Sequence, residues 1–281
     1  MNSSPRKVGI IIEPQPVIEG AGVRLKRSIG TRLLDYVDPF LLLDHFASDD
    51  PRDYQAGFPL HPHRGIETVT YVLVGEVHHK DTLGNSGSIG AGDVQWMTAG
   101  RGIMHEEMPQ VRPEGVAGFQ LWVNLPAKLK MTAPRYQDIR SNEIPEVVSE
   151  NGARIRVIAG TVERTSGPVT GIAADPIYAD VFIPPHNTFT QPVSRGHSAF
   201  AYVFEGEAGF AENGAMISSP KLVVWGDGDQ VSVTTAETPV RFLFVSGAPL
   251  HEPVARYGPF VMNTREEIEQ TLRELRQGTF V

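Results

Sequence analysis

The chain is predicted to be an all-β protein of two related halves that ends in one short α-helix. Three observations carry the prediction. Short apolar or alternating runs are cut at close intervals by turn residues, and the 28 Gly and 22 Pro are spread through all 281 residues without a low-complexity block. Two separate stretches repeat one pattern of aromatic, β-branched and turn residues. Near the C-terminus a capping box precedes a run with helical spacing.

The strands are read from runs dominated by Val, Ile, Tyr, Phe and Thr, residue types that fit a pleated, half-buried surface. They fall at residues 68–74, ending at Gly75, then 118–123, 154–158, 199–204 and 240–245. Thr264 with Glu267 forms the capping box of a helix over 265–277. Its apolar stripe is Ile268, Leu272 and Leu275, and Gly278 is placed for the C-terminal cap. The repeat pairs Tyr71-Val72-Leu73-Val74-Gly75-Glu76 with Tyr202-Val203-Phe204-Glu205-Gly206-Glu207, and Gly92-Asp93 with Gly228-Asp229. A Pro-, Gly- and charge-rich stretch from about 128 to 175 suits the boundary, giving domains of 1–140 and 141–281.

Composition narrows the chemistry. With 41% hydrophobic residues the chain buries a substantial core. Its formal net charge of −8 supplies no positive field to concentrate nucleic acid or an acidic membrane surface. Cysteine is absent, which excludes disulfides, Cys-ligated zinc, iron–sulfur clusters and a thiolate nucleophile. No segment approaches the ~18 consecutive apolar residues of a membrane span, and no signal-type apolar stretch opens the chain. The expected location is cytoplasmic. The Asn2-Ser3-Ser4 glycosylation triplet is read as chance.

Imidazole and carboxylate groups must therefore carry any reaction. His61-Pro62-His63 is followed by Glu67, and His105-Glu106-Glu107 lies further along. In an extended strand residues i and i+2 share a face, so His61 and His63 project together, as do His105 and Glu107. Each pair offers two ligands to one metal, and the glycine-rich stretch 84–93 turns the chain back between them. Pro62 holds its strand extended at an edge. Taken alone, either pair is more simply two strand residues. Glu67 is read as a strand-start residue or a hydrogen-bond acceptor for an imidazole. His78 and His79 are read as solvated, His45 as a buried partner of Asp44, and His186, His197 and His251 as structural or exposed.

The stretch from His61 through Tyr71 and that from Met97 through Pro109 (Met97-Thr98-Ala99-Gly100-Arg101-Gly102-Ile103-Met104-His105-Glu106-Glu107-Met108-Pro109) resemble the two signature motifs of the pirin family. The segment from Gly247 through Thr264 is similar to that family's other hallmark. The resemblance implies a bicupin, two cupin-type β-barrels, with one divalent metal in the N-terminal barrel. By motif the ligands are His61, His63, His105 and Glu107, usually around iron, with Glu67 in reserve. Fe(II) is the expected ion; Mn, Co, Ni, Cu and Zn suit the same donors. Aligning the halves at Gly75 and Gly206 sets Pro192 opposite His61 and Ser194 opposite His63, and counting beyond Asp229 gives Arg241 and Leu243 opposite His105 and Glu107. One metal per chain follows.

Members of the family are known as quercetin 2,3-dioxygenases, so the resemblance implies O2-dependent opening of the central ring of a flavonol-like substrate. Glu107 is then the catalytic base for the flavonol hydroxyl. Phe58, Trp96, Met97, Met104 and Phe119 are candidate walls of an aromatic pocket, or ordinary core. Animal members act on transcription factors, so a second implication is a metal- and redox-dependent regulator that binds a protein partner. A third is a structural metal, or a natural substrate that is another phenol or enol.

Overall fold

The structure, a computed structural model, describes residues 4–150, 152–211 and 214–281. Asn2 and Ser3 of the glycosylation triplet lie outside them. Two compact units are present: Gln15–Ser141 with Leu250–Val281, and Met1–Pro14 with Asn142–Pro249. The units thus differ from the 1–140 and 141–281 division in their ends.

Up to residue 141 the strands are β1 (Val8–Ile12), β2 (Gln15–Glu19), β3 (Val23–Ile29), β4 (Phe40–Ser48), β5 (Phe58–His63), β6 (Ile66–Val74), β7 (Val77–Asp81), β8 (Ser86–Ile89), β9 (Val94–Thr98), β10 (Ile103–Pro109), β11 (Val116–Asn124) and β12 (Arg135–Ile139). In the first-named unit two antiparallel sheets enclose a cavity. One has the order β12-β9-β6-β11-β4-β3-β2 and the other β5-β10-β7-β8. Strand alternation decides what faces the cavity. On β6, Thr70 lines it, whereas Glu67, Val69 and Tyr71 point to the opposite, also buried, face.

The same alternation corrects the pairing expected of His45. Adjacent residues on β4 face opposite ways, so Asp44 turns to the cavity and takes two hydrogen bonds of 2.7 Å from Arg27. His45 stacks on Phe119, ring centroids 4.8 Å apart and 25° between planes.

The end of the chain completes this unit. The helix Arg265–Gln277 has the expected capping box: the Glu267 amide donates to Thr264 Oγ1 at 3.3 Å and the Thr264 amide to Glu267 Oε2 at 2.9 Å. Gly278 closes it in the left-handed region. Ile268 packs with Phe260, Met262 and Phe280. Arg64, next to His63, donates to Glu274 at 2.6 Å, to Thr271 at 3.1 Å and to the Phe280 carbonyl at 3.1 Å. Lys130 is 1% exposed, and its ammonium donates to Gly65 O, Asn124 Oδ1 and Val261 O at 2.8–2.9 Å. Three donors thus meet three acceptors. Gly65, with φ of 78°, admits no side chain, because a Cβ would stand 1.9 Å from the Val261 carbonyl oxygen.

In the other unit β1 pairs with Lys221–Trp225, and the interior is packed with Phe189, Phe210, Trp225, Phe242 and Phe244. The strand paired with Thr188–Pro192 is Gln230–Thr234, whereas Arg241 and Leu243 lie on Val240–Gly247, between Ile177–Ile183 and Ser198–Gly209. The counting beyond Asp229 therefore landed one strand late: Asp93 precedes β9, whereas Asp229 precedes Gln230–Thr234, which pairs with Thr188–Pro192 as β10 pairs with β5. Pro192 and Ser194 face outward; Phe189, Gln191, Val231 and Val233 are buried on the paired strands.

Two predictions follow from this packing. Burial, and then Lys26, holds the His45 pKa down at about 4, while the unfolded chain titrates near 6.5. Between those values the unfolded state binds more protons, so His45 contributes stability that is present above pH 6.5 and is lost as pH falls through 4. His45→Gln should remove up to about 3 kcal/mol of the acid-side loss, read as the difference between urea unfolding of wild type and variant at pH 7 and pH 4.5. Lys130→Met removes the ammonium from three buried acceptors, of which Gly65 O keeps only a long 3.4 Å bond from the Leu125 amide. It should cost at least about 2 kcal/mol in the same assay, and a neutral result would remove the clamp role of Lys130.

Candidate metal centre

β5 and β10 pair so that His105 lies directly across from His61, and Ile103 across from His63. The register shifts between His105 and Glu107, with the extra residue on β5 at Pro59-Leu60. Pro59 has no amide hydrogen for the ladder, and its carbonyl stands 3.0 Å from His61 Nδ1. That acceptor places the His61 proton on Nδ1 and leaves the Nε2 lone pair facing inward.

His61, His63 and His105 form a group in which one ring nitrogen from each lies within 4.8 Å of the others. His61 Nε2 and His63 Nε2 are 3.0 Å apart. The His61 and His105 ring centroids are 4.4 Å apart, and those of His63 and His105 5.1 Å. His63 and His105 are 2% and 1% exposed, and neither ring nitrogen of His105 has a hydrogen-bond partner. Burial, with the other imidazoles adding to it, holds both rings well below the ordinary histidine pKa. They are therefore neutral at pH 7, the form that ligates a metal. Buried polar atoms without partners are rare, and a cation among these rings would bond one nitrogen of each. The donor set fits a divalent first-row ion.

Glu107 is buried but stands apart from the imidazole group. Its Oε1 accepts a hydrogen bond of 2.9 Å from Thr70, whose hydroxyl oxygen is 2.7 Å from the Gln120 side chain. A hydroxyl has one proton, so with Thr70 donating to Glu107, Gln120 presents its amide NH2 to Thr70. Glu107, His61 and His63 line the same cavity, but the carboxylate is not brought into the imidazole cluster. Glu67 cannot serve in reserve: strand alternation aims it at the other face of β6, where Thr98 donates to it at 2.7 Å and burial raises its pKa.

The cavity has a volume of about 970 Å³. Of the five apolar residues expected on its wall, Phe58 lines it. Trp96 and Phe119 are fully buried away from it, Met97 packs with Leu41, Ile66 and Ile103, and Met104 packs beneath the C-terminal helix. The wall is instead built from inward residues of β3, β7 and β11, namely Val23, Leu25, Val77, Val116 and Trp122, with Tyr54. Trp122 stands edge-on to His63 at 5.1 Å. Polar residues alternating with apolar ones on β6 and β11 were the available signal for Thr70 and Gln120.

The remaining histidines are placed by the same geometry. His78 is exposed and 2.8 Å from Glu76. His79, expected to be solvated, is 4% exposed and stacks on Tyr136 at 5.7 Å, because β7 alternates with Val77, His79 and Asp81 inward. His186 and His251 are exposed.

Residues 22–123 match the Pirin family model and residues 178–281 the Pirin C-terminal cupin domain. A pirin-like protein of Caulobacter vibrioides is 46% identical over 276 residues, covering 98% of this chain and 99% of the relative. Human pirin is 41% identical, covering 98% and 94%. The solved structure of a quercetin 2,3-dioxygenase from Acinetobacter baumannii superposes with a TM-score of 0.88 at 36% identity, covering 98% of both chains. Sequence, fold and histidine cluster agree, and the chain belongs to the pirin family of bicupins.

Proposed function

We propose that the protein is a metal-dependent dioxygenase that opens the central ring of quercetin or a similar flavonol with O2, releasing carbon monoxide. The observation that carries this reading is the group of three imidazoles, two of which, His61 and His63, line a cavity of about 970 Å³, near the upper end of the roughly 300–1,000 Å³ typical of small-molecule sites. The likeness to the quercetin 2,3-dioxygenase of Acinetobacter baumannii, at 36% identity, supports it.

His61, His63 and His105 would hold the ion, and Fe(II) is the ion proposed; Glu107, apart from the imidazoles and bonded to Thr70, would become the fourth ligand by turning toward them. When bound, a divalent ion there supplies Lewis-acid and one-electron redox chemistry. The protein's own residues do the rest. The Pro59 carbonyl fixes the His61 tautomer. Val23, Leu25, Tyr54 and Phe58 exclude water from a planar aromatic. Glu107 receives the proton of the flavonol hydroxyl, and Thr70, hydrogen-bonded to its Oε1, keeps the carboxylate oriented toward the cavity. A cytoplasmic site of action is part of the proposal.

Protein loaded in turn with Fe(II), Mn, Co, Ni, Cu and Zn should consume O2 and release carbon monoxide with quercetin for at least one ion; no uptake with any of them would sink the dioxygenase reading. His105→Ala should abolish stoichiometric metal binding while the far-ultraviolet circular dichroism stays β-type. Glu107→Gln should lower kcat by about 10²–10⁴-fold, measured at matched metal content. A wild-type kcat in that variant would assign the proton to another group.

A further inference from the structure

Two guanidinium groups line the cavity, and they differ in what occupies them. Arg27 is committed: Nε and Nη2 bond both oxygens of Asp44, and Nη1 bonds Glu19, each at 2.7 Å. Arg256, from the C-terminal segment, makes no ion pair among the described residues. Its one hydrogen bond runs from Nη1 to the Leu41 carbonyl at a long 3.3 Å. The guanidinium lies over the face of Trp122, 5.2 Å from the ring centre, and the residue is exposed to the cavity and its mouth. Of the acids whose charge acts on it, Asp44 and Glu19 are already bonded to Arg27, and Asp35, exposed at the cavity, makes no ion pair with it.

Trp122 connects this cation to the histidine cluster. It meets His63 edge-on at 5.1 Å and Arg256 on its face at 5.2 Å, so Arg256 Cζ lies no more than about 10 Å from the His63 ring. An aromatic ligand with one oxygen at the imidazoles therefore reaches Arg256 with its far end. An arginine in such a place, with donors unspent, matches a carboxylate in two-pronged fashion.

Resting on the reading of this cavity as the flavonol site, we infer that Arg256 selects planar aromatic substrates that carry a carboxylate at the end remote from the metal-binding oxygen. The test is an anaerobic titration of the full-length, Zn-loaded protein with two probes, 3-hydroxyflavone and 3-hydroxyflavone-4′-carboxylate, followed by flavonol absorbance. Wild type should bind the carboxylate at least about ten-fold more tightly. That ratio should fall to about one in Arg256→Gln and to an intermediate value in Arg256→Lys, with metal content and circular dichroism matched. Equal affinities in wild type, a measurement independent of how any variant folds, would overturn the inference. So would a ratio that survives in Arg256→Gln. A carboxylate preference without O2 uptake by any metal form would instead sink the dioxygenase reading and leave this one standing.

Discussion

The antiparallel register between β5 and β10 sets His61 across from His105, and a slip of one residue would turn every side chain of one strand to the other face. The buried imidazoles of His63 and His105, a few ångströms apart and beside His61, are unfavourable on their own, since both lose water and neither ring nitrogen of His105 gains a protein partner. The register must therefore be held by interactions that do not involve the histidines. The β10–β7 ladder supplies part of this, running from His105–Asp81 to Pro109–Val77. The bulge at Pro59-Leu60 supplies another part by fixing where the pairing restarts at Phe58.

The C-terminal segment supplies the rest, and its grip is placed next to the ligands. Arg64 and Gly65 follow His63 directly. The first is bonded to the C-terminal helix and the Phe280 carbonyl, and the second is pressed against Val261 and bonded to Lys130. Buried cations are costly unless their donors are matched; the three donors of Lys130 are met by Gly65, Asn124 and Val261, and Nη1 and Nη2 of Arg64 by Thr271, Glu274 and the Phe280 carbonyl, while Arg64 Nε has no partner. The same segment brings Arg256 to the cavity wall. The hallmark motif at the chain's end thus acts on a site more than 140 residues before it.

How much of this was legible in the sequence depended on whether the signal was local. Thr264, Glu267 and Gly278 specify a helix with its own caps, and the structure has those caps at those residues. His61 and His63 read as ligands because period 2 is a property of any strand. The limits appear where a long-range fact decides. Glu107 shares a face with His105 by that same period, yet the bulge on the partner strand and the Thr70 hydroxyl set it apart from the imidazoles. His79 looked solvated beside Lys80 and Asp81 because charge was read along the chain and not across it; Tyr136, which covers it, is 57 residues away. The mapping onto the second half failed by a strand because Gly92-Asp93 and Gly228-Asp229, alike in sequence, precede strands with different places in their sheets.

The two units show what hollowing a barrel requires. In one, Phe189, Phe210, Trp225, Phe242 and Phe244 fill the interior, and apolar Val231 and Val233 occupy the strand paired with Thr188–Pro192. In the other, large inward side chains give way to Thr70, Gln120, Asp44 and Glu107, and dispersion contacts are lost across a cavity of about 970 Å³. Each of these polar groups is answered by a neighbour: Asp44 by Arg27, and Thr70 by both Glu107 and Gln120. The imidazole nitrogens of His105 and the donors of Arg256 are not. Trp122 joins the two: His63 of the imidazole group meets it edge-on and Arg256 lies over its face, so a ligand in the cavity meets both along this one aromatic.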